Sequence, residues 1–377
     1  MNKIELKKPF SEDFKKFFLE KCYYLDQNIT KIFFKKNFLY FKIKEKKNTK
    51  KIKVKIISFI KKNIKSIDRT SDEILYKKVV NLKKKTNDPF KEMLDKDYVK
   101  KISDGIYSIE GDLLLLKNYL ENIFKNLFMD MSFQNVKYSG VVPINSLIKN
   151  SYLSSFPNHC LFISNIKRDI KKIDSVARLN VNNSSKVKSN LDFPNFILSP
   201  TVCFNCFETL KNTKIKNTLK ITALENCHRY ESLNYKSFER LNIYSMREWI
   251  ILGSRIDIEK NLEKFLKKFK NIFNKWNITF RICTASDPFF SNKDIKKKIF
   301  QQSNRLKYEL QVYLPYEKKW LAVASFNNHL SAMTNAYNIK FKNKKQLYSG
   351  CIGVGYERLI YGIYSQKGIN KKWKKKF

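Results

Sequence analysis

The chain has 377 residues, 43% hydrophobic and 14% aromatic, enough apolar side chain for one large or two modest globular domains and too much for a disordered polymer. Its formal net charge of +42 is spread as lysine through every segment, beside heavy use of Asn, Ile, Phe and Tyr, so it reflects residue usage throughout and leaves RNA binding open without establishing it. No apolar run reaches the ~18 residues of a membrane span and the charged N-terminus lacks a signal-peptide core, which gives a cytoplasmic expectation; seven unevenly spaced cysteines suit reduced thiols or metal ligands better than disulfides.

Residues 1–85 read as a small basic α+β extension of unknown role, in which Phe38–Lys44 and Ile52–Ile60 alternate around the polar turn Glu45–Lys51 as a hairpin would. The character changes at Asn87-Asp88-Pro89-Phe90. Asp88 can cap a helix with Pro89 at its first position, and Leu116, Leu120, Ile123, Phe124 and Leu127 then recur at helical spacing. Pro143 follows an apolar stretch, and Asn180–Asn195, rich in Asn and Ser, reads as a surface loop. Cys203 and Cys206 form one CxxC pair with neither a second pair nor a thioredoxin-like pattern around it, so zinc-knuckle and redox readings are both weak.

Residues 219–253 carry the densest pattern. Leu219–Tyr230 and Arg240–Leu252 read as strands joined by the polar turn Glu231–Glu239, and Cys227, Arg229 and Glu231 alternate onto one face. A thiol, a guanidinium and a carboxylate together suit an anion beside a metal or amine, although an edge strand with an ordinary Arg–Glu pair is an equal reading. Ile256–Trp276 is an amphipathic helix with Leu262, Phe265, Phe269 and Phe273 on its apolar stripe. Strands follow at Thr279–Thr284, within Gln301–Pro315 and at Trp320–Phe326, and Ser349–Arg358 reads SGCIGVGYER, a strand entering a helix with Gly353 and Gly355 where a ligand nears the backbone.

Several of these strings, in the same order, resemble one family. Arg229-Tyr230-Glu231 is similar to the Arg-x-Glu of motif 2 in class II aminoacyl-tRNA synthetases, and Ser349–Arg358 to motif 3 with Cys351 in place of its first glycine. The segment from Asp88, the FERLNIYSMREWIILGS continuation of motif 2, the SDPFF turn at Ser286–Phe290 and the ASFNNH string resemble the amino acid:[carrier protein] ligases, relatives of the atypical, zinc-dependent seryl-tRNA synthetases. Pro143 stands at the motif 1 proline of the dimer interface. The resemblance covers roughly residues 87–373, giving an extension over 1–85 and a catalytic domain over 86–377.

The resemblance implies an α+β fold, a class II synthetase-like antiparallel sheet flanked by helices, in a homodimer without membrane contact. It implies Cys203, Glu231 and Cys351 as ligands of a catalytic zinc whose fourth position takes the substrate amine, with no role named for Cys206 or Cys227. Arg229 and Arg358 are the catalytic residues, grasping the α-phosphate and the far end of ATP. Arg240 and Arg247, together with Glu309, Ser325, Gly353 and Gly355, complete the ATP site, and Asn327 faces substrate. ATP with magnesium is expected, yet Ala322 stands where the synthetases carry a magnesium-binding Glu. The implied reaction activates a small amino acid as its adenylate and transfers it to the phosphopantetheine thiol of a carrier protein. The alternatives are a zinc-dependent seryl-type tRNA ligase, disfavoured because no long tRNA-binding module precedes Asp88, and a non-catalytic paralogue.

Overall fold

The computed structural model describes every residue except 7–9, 68–71, 83–86, 232–236, 288–294, 344 and 370–377. Most of the turn after Asp287, which carried part of the family likeness, lies outside the described residues.

The N-terminal unit has its own core. Strands Asn2–Glu5, Ile29–Lys35 and Phe38–Ile43 form a sheet with Phe38–Ile43 in the middle. Helices Glu12–Lys21 and Thr49–Ile67 cover one face, where Phe14, Phe18, Ile32, Phe41, Ile52 and Ile56 are fully buried. The expected second hairpin strand is instead part of the helix Thr49–Ile67. Its buried apolar positions among the described residues are Ile52, Ile56 and Ile60, four apart on a helical stripe with lysines around them. Repeated β-branched residues imitated alternation. The hairpin partner of Phe38–Ile43 is Ile29–Lys35, through a tight turn at Lys36, whose φ of 51° is left-handed.

The main sheet has eight strands in the order Ile74–Lys78, Phe280–Thr284, Lys307–Leu314, Lys319–Leu330, Tyr348–Gly355, Ile243–Gly253, Leu219–His228 and Gln134–Asn135. Every neighbouring pair is antiparallel except the last, so the sheet is mixed. Strand Ile74–Lys78, within the range assigned from sequence to the extension, is the sheet's outer edge.

Helices Gly111–Leu127, Arg255–Lys275 and Tyr356–Lys367 cover one face of this sheet through a continuous apolar layer that includes Phe124, Trp249, Phe265, Phe269 and Tyr356. The longest of these, Arg255–Lys275, starts at a capping box between Ser254 and Asp257. Asp88 Oδ1 accepts from the Phe90 and Lys91 amides and so caps helix Pro89–Asp95, as the Asp-Pro pair predicts. Pro143 closes strand Val141–Pro143, which lies in a small sheet with Phe162–Ile163 and Phe196–Leu198. The opposite face of the main sheet is left for the site.

Candidate active site

Antiparallel pairing puts directly opposed residues on one face, and that rule assembles the site floor. Glu248 opposes Gly353, Ile250 opposes Cys351, Met246 opposes Gly355, Asn327 opposes Cys351, and Ser325 opposes Gly353. Cys203 reaches this floor from the start of helix Cys203–Thr209, delivered by the strand Phe196–Leu198 and the turn that follows it. Above the floor is a cavity of about 1000 Å³. A Cβ on Gly353 would stand 3.2 Å from Met246 Sδ and 3.5 Å from Glu248 Cγ, so glycine keeps the floor open there.

Cys203, Glu248 and Cys351 each offer a ligand atom, all within 4.8 Å of one another and all buried. Glu248 Oε2 accepts from the Cys203 amide at 2.9 Å, and its Oε1 accepts from the Thr201 hydroxyl. Burial, with the Cys351 sulfur beside it, pushes the Glu248 carboxyl up to about 7. The hydrogen bond between the thiols pushes Cys203 well up and holds Cys351 well down. Two sulfurs and one carboxylate are a zinc-type donor set with a fourth position to fill, and the protons held by Glu248 and Cys203 are ones a metal would displace.

The carboxylate beside the thiols is therefore Glu248, and Glu231, expected there from sequence, stands elsewhere. The strand ends at His228, so the alternation that seemed to align Cys227, Arg229 and Glu231 stops short of Glu231. Glu231 Oε2 instead accepts from Arg240 Nη1 at 2.8 Å. Burial raises its carboxyl, but the Arg240 and Arg358 charges outweigh this and leave it below the usual range. Cys206 and Cys227 are fully buried and outside the donor group.

Arg229 and Arg358 both line the cavity. Each is anchored through Nε alone, Arg229 to the Pro200 carbonyl at 3.0 Å and Arg358 to the Glu239 carbonyl at 2.8 Å. Their terminal nitrogens have no hydrogen-bond partner among the described residues, which leaves two forks for an anionic ligand. Arg229 also lies over the Tyr244 ring at 5.5 Å. Glu309, Ser325, Asn327, Gly353 and Gly355 line the same cavity.

Two expected ATP ligands are placed differently. Arg240 is held by Glu231. Arg247, one residue out of phase with Met246 and Glu248, faces the helix layer, where Nε donates to Glu121 at 2.8 Å and Nη1 to Thr222 at 3.0 Å. Ala322 lines the cavity, and its cross-strand neighbour is Gln311, so neither position offers a carboxylate.

Sequence reading missed Glu248, and also Lys307, whose Nζ pairs with Asp287 at 2.6 Å and stands 3.6 Å from Glu309 inside the cavity. The available signal for Glu248 was a carboxylate two residues from Met246 and immediately before the apolar run Trp249–Leu252, where only a paired or ligating acid is expected.

The geometry meets a known class at this point. Residues 186–367 match the model of the tRNA synthetase class II core domain (G, H, P, S and T). This match covers just under half of the chain, which has the class II synthetase fold, an α+β arrangement of a mixed sheet flanked by helices. Among curated relatives, the type-2 serine–tRNA ligase of Methanopyrus kandleri is 24% identical over 257 residues, 63% of this chain and 49% of that protein. Amino acid–[acyl-carrier-protein] ligase 1 of Bradyrhizobium diazoefficiens is 25% identical over 288 residues, 75% of this chain and 86% of that one. The chain is thus a synthetase-like ligase relative that spans about half the length of the type-2 serine–tRNA ligase. Among solved structures, M. kandleri SerRS in complex with A. aeolicus tRNASec has the same fold, with a TM-score of 0.73, 16% identity, and coverage of 98% of this chain and 75% of that one. Among the described residues no helix is long and apolar enough to cross a membrane.

Proposed function

We propose that the chain activates a small α-amino acid with ATP and transfers it to the phosphopantetheine thiol of a carrier protein. The observation that carries the reading is the Cys203, Glu248 and Cys351 donor group, opening into the same cavity as the forks of Arg229 and Arg358. Such a cavity holds an amine at one end and a polyphosphate at the other. The likeness to a carrier-protein ligase over 86% of its length, against half of a type-2 serine–tRNA ligase, favours the carrier as acceptor.

In the first step a carboxylate oxygen of the amino acid attacks the α-phosphorus of ATP. The bond from the α-phosphorus to the oxygen bridging it to the β-phosphate breaks, and pyrophosphate leaves. Arg229 neutralises charge at the α-phosphate and Arg358 holds the far end of the nucleotide, while Gly353 and Gly355 let the ligand approach the strand. Cys203, Glu248 and Cys351 would hold zinc, which would supply a Lewis-acid position for the neutral substrate amine and so a preference against acids that lack one. In the second step the pantetheine sulfur attacks the acyl carbon, the acyl–phosphate bond breaks, AMP departs and the thiol proton passes to solvent. The test is pyrophosphate exchange across the small amino acids, with and without carrier protein. Exchange dependent on one small amino acid supports the reading, and none from zinc-replete protein favours a non-catalytic paralogue.

The proposed assembly is a homodimer. Phe162, Phe196 and Phe193 are 51%, 43% and 76% exposed on and beside the small sheet that contains Pro143, an apolar area that a second copy would cover.

One observation favours the tRNA-ligase reading as runner-up. The uncovered face of the N-terminal sheet carries Phe33, Phe38 and Tyr40 among Lys3, Lys31, Lys35 and Lys42, by the strand register. Phe33 and Tyr40 stack at 5.4 Å, and Lys3 lies 5.0 Å over Phe38. Rings among cations suit unpaired bases and their phosphates.

A further inference from the structure

His329 stands at the metal-type site and has no part in the chemistry above. The pairing of its strand with the neighbouring one shifts register between Asn328 and Leu330, which leaves His329 as the extra residue beside Ser349 and Cys351, two apart on that neighbour. The imidazole spans the gap: Nδ1 is 3.3 Å from Ser349 Oγ and Nε2 is 3.5 Å from Cys351 Sγ. The Phe207 ring meets the imidazole at 6.0 Å, nearly edge to face. Asn327 Nδ2 approaches the same sulfur at 3.6 Å. Cys203 has a different setting, with the Thr201 hydroxyl at 3.5 Å.

We propose that His329 is a positioning residue that presents its Nε2–H to the Cys351 thiolate, fixing that sulfur's orientation and limiting the charge it gives to a bound metal. The inference rests on the zinc reading of the donor group and adds a residue to it. A neutral imidazole has one donor and one acceptor nitrogen. We assign the hydroxyl of the fully buried Ser349 as the donor to Nδ1, which puts the imidazole proton on Nε2, facing sulfur. Asn327 Nδ2 shares its two hydrogens among Ser325 Oγ at 3.2 Å, the Cys351 carbonyl at 3.4 Å and the same sulfur, so amide and imidazole nitrogens both face this sulfur, a setting that suits a thiolate. Direct ligation by His329 is the competing role. The group whose atoms all lie within 4.8 Å of one another comprises Cys203, Glu248 and Cys351 without it. Partners that hydrogen-bond a ligand in this way set its orientation and the metal's acidity.

Cobalt(II) loaded into purified protein reads this directly, through its affinity against a chromophoric chelator and the energy of the sulfur-to-cobalt charge-transfer band. His329→Leu is expected to weaken cobalt binding by about 10- to 100-fold and to move the band to longer wavelength, because a thiolate without its donor is easier to oxidise. His329→Gln, which keeps an N–H at similar reach, should restore most of both. Should His329→Leu fail to fold, Ser349→Ala, which frees the imidazole tautomer, should move the band the same way by less. Wild-type affinity and band position in His329→Leu, or in Ser349→Ala where that variant stands in, overturn the proposal, and so does a ligand-field spectrum showing a lost nitrogen ligand. Wild-type protein that binds no cobalt overturns the zinc reading itself, a result distinct from unchanged variants of a protein that does bind.

Discussion

Cys203 and Glu248 are tied together before any ligand arrives: the Cys203 amide donates to Glu248 Oε2 at 2.9 Å, so the helix start that carries the thiol also aims the carboxylate. Glu231 has no such tie and is held by Arg240. Purified protein should carry about one zinc per chain. Glu248→Gln and Cys351→Ala should lose most of it, and Glu231→Gln should keep it. Metal analysis of the three variants is the check, and zinc lost from Glu231→Gln alone would return the ligand to the motif 2 carboxylate.

Arg229 and Arg247 separate in the same manner. Arg229→Ala should lower amino-acid-dependent pyrophosphate exchange by at least ~10²-fold with little change in melting temperature, since its fork faces the cavity. Arg247 is 4% exposed and paired with Glu121, so Arg247→Ala should cost roughly 3 kcal/mol of stability by leaving that half-buried carboxylate with the Tyr356 hydroxyl and without its guanidinium. Exchange per folded molecule should survive it. Denaturant melts beside exchange rates distinguish the two, and an Arg247→Ala that is stable but inactive would contradict this placement.

The contrast between these arginines shows what the chain made legible. Period-two alternation identified strands, and the glycines of Ser349–Arg358 marked where a ligand nears the backbone, so the floor was within reach, while the pair Cys203 and Cys351 came from the family resemblance. Alternation fails at a strand end, and His228 is such an end, so the shared face read for Cys227, Arg229 and Glu231 does not reach Glu231, whose place among the ligands came from the motif 2 likeness. Which face of Ile243–Gly253 looks into the cavity depends on its pairing with Tyr348–Gly355, a contact about a hundred residues away in the chain, so Arg247 and Glu248 could not be sorted locally. The helix at Thr49–Ile67 was read as a strand because isoleucine fits either period.

Truncation tests the boundary between the two units. Removing residues 1–67 takes away a separate core and the hydrogen bond from Tyr24 Oη to the Tyr230 carbonyl at 3.2 Å, and exchange activity should persist. Removing residues 1–80 also strips the edge strand Ile74–Lys78, with the Tyr76 hydroxyl bond to Asn274 at 3.0 Å, and bares the strand Phe280–Thr284. The longer deletion should melt at least about 5 °C lower and aggregate more readily. Equal thermal stability of the two proteins would show that this strand adds nothing to the sheet.

His159 gives a pH signature. Burial, with the Arg229 charge nearby, pushes its imidazole down to about 4 from an ordinary 6.5. The unfolded chain therefore binds this proton at a pH where the folded protein does not. The stability at stake is intact above about 6.5 and falls as pH drops toward 4, by up to about 1.4 kcal/mol per unit. Denaturant titrations should show a shallower fall for His159→Gln than for wild type over that window. Parallel curves would place the imidazole in contact with water.

The acceptor tests the account most directly. Charging tRNA grips a long polyanion, so its rate falls steeply with salt, whereas a carrier presents a small surface and a thin pantetheine arm. Zinc-replete enzyme is given ATP, its amino acid and equal amounts of phosphopantetheinylated carrier and unfractionated tRNA from the same cells. We predict a hydroxylamine-sensitive thioester on the carrier, weakly dependent on salt, and no acylated tRNA. Acylated tRNA beside an uncharged carrier would contradict the account and make the aromatic and lysine face around Phe33 and Tyr40 the first surface to mutate.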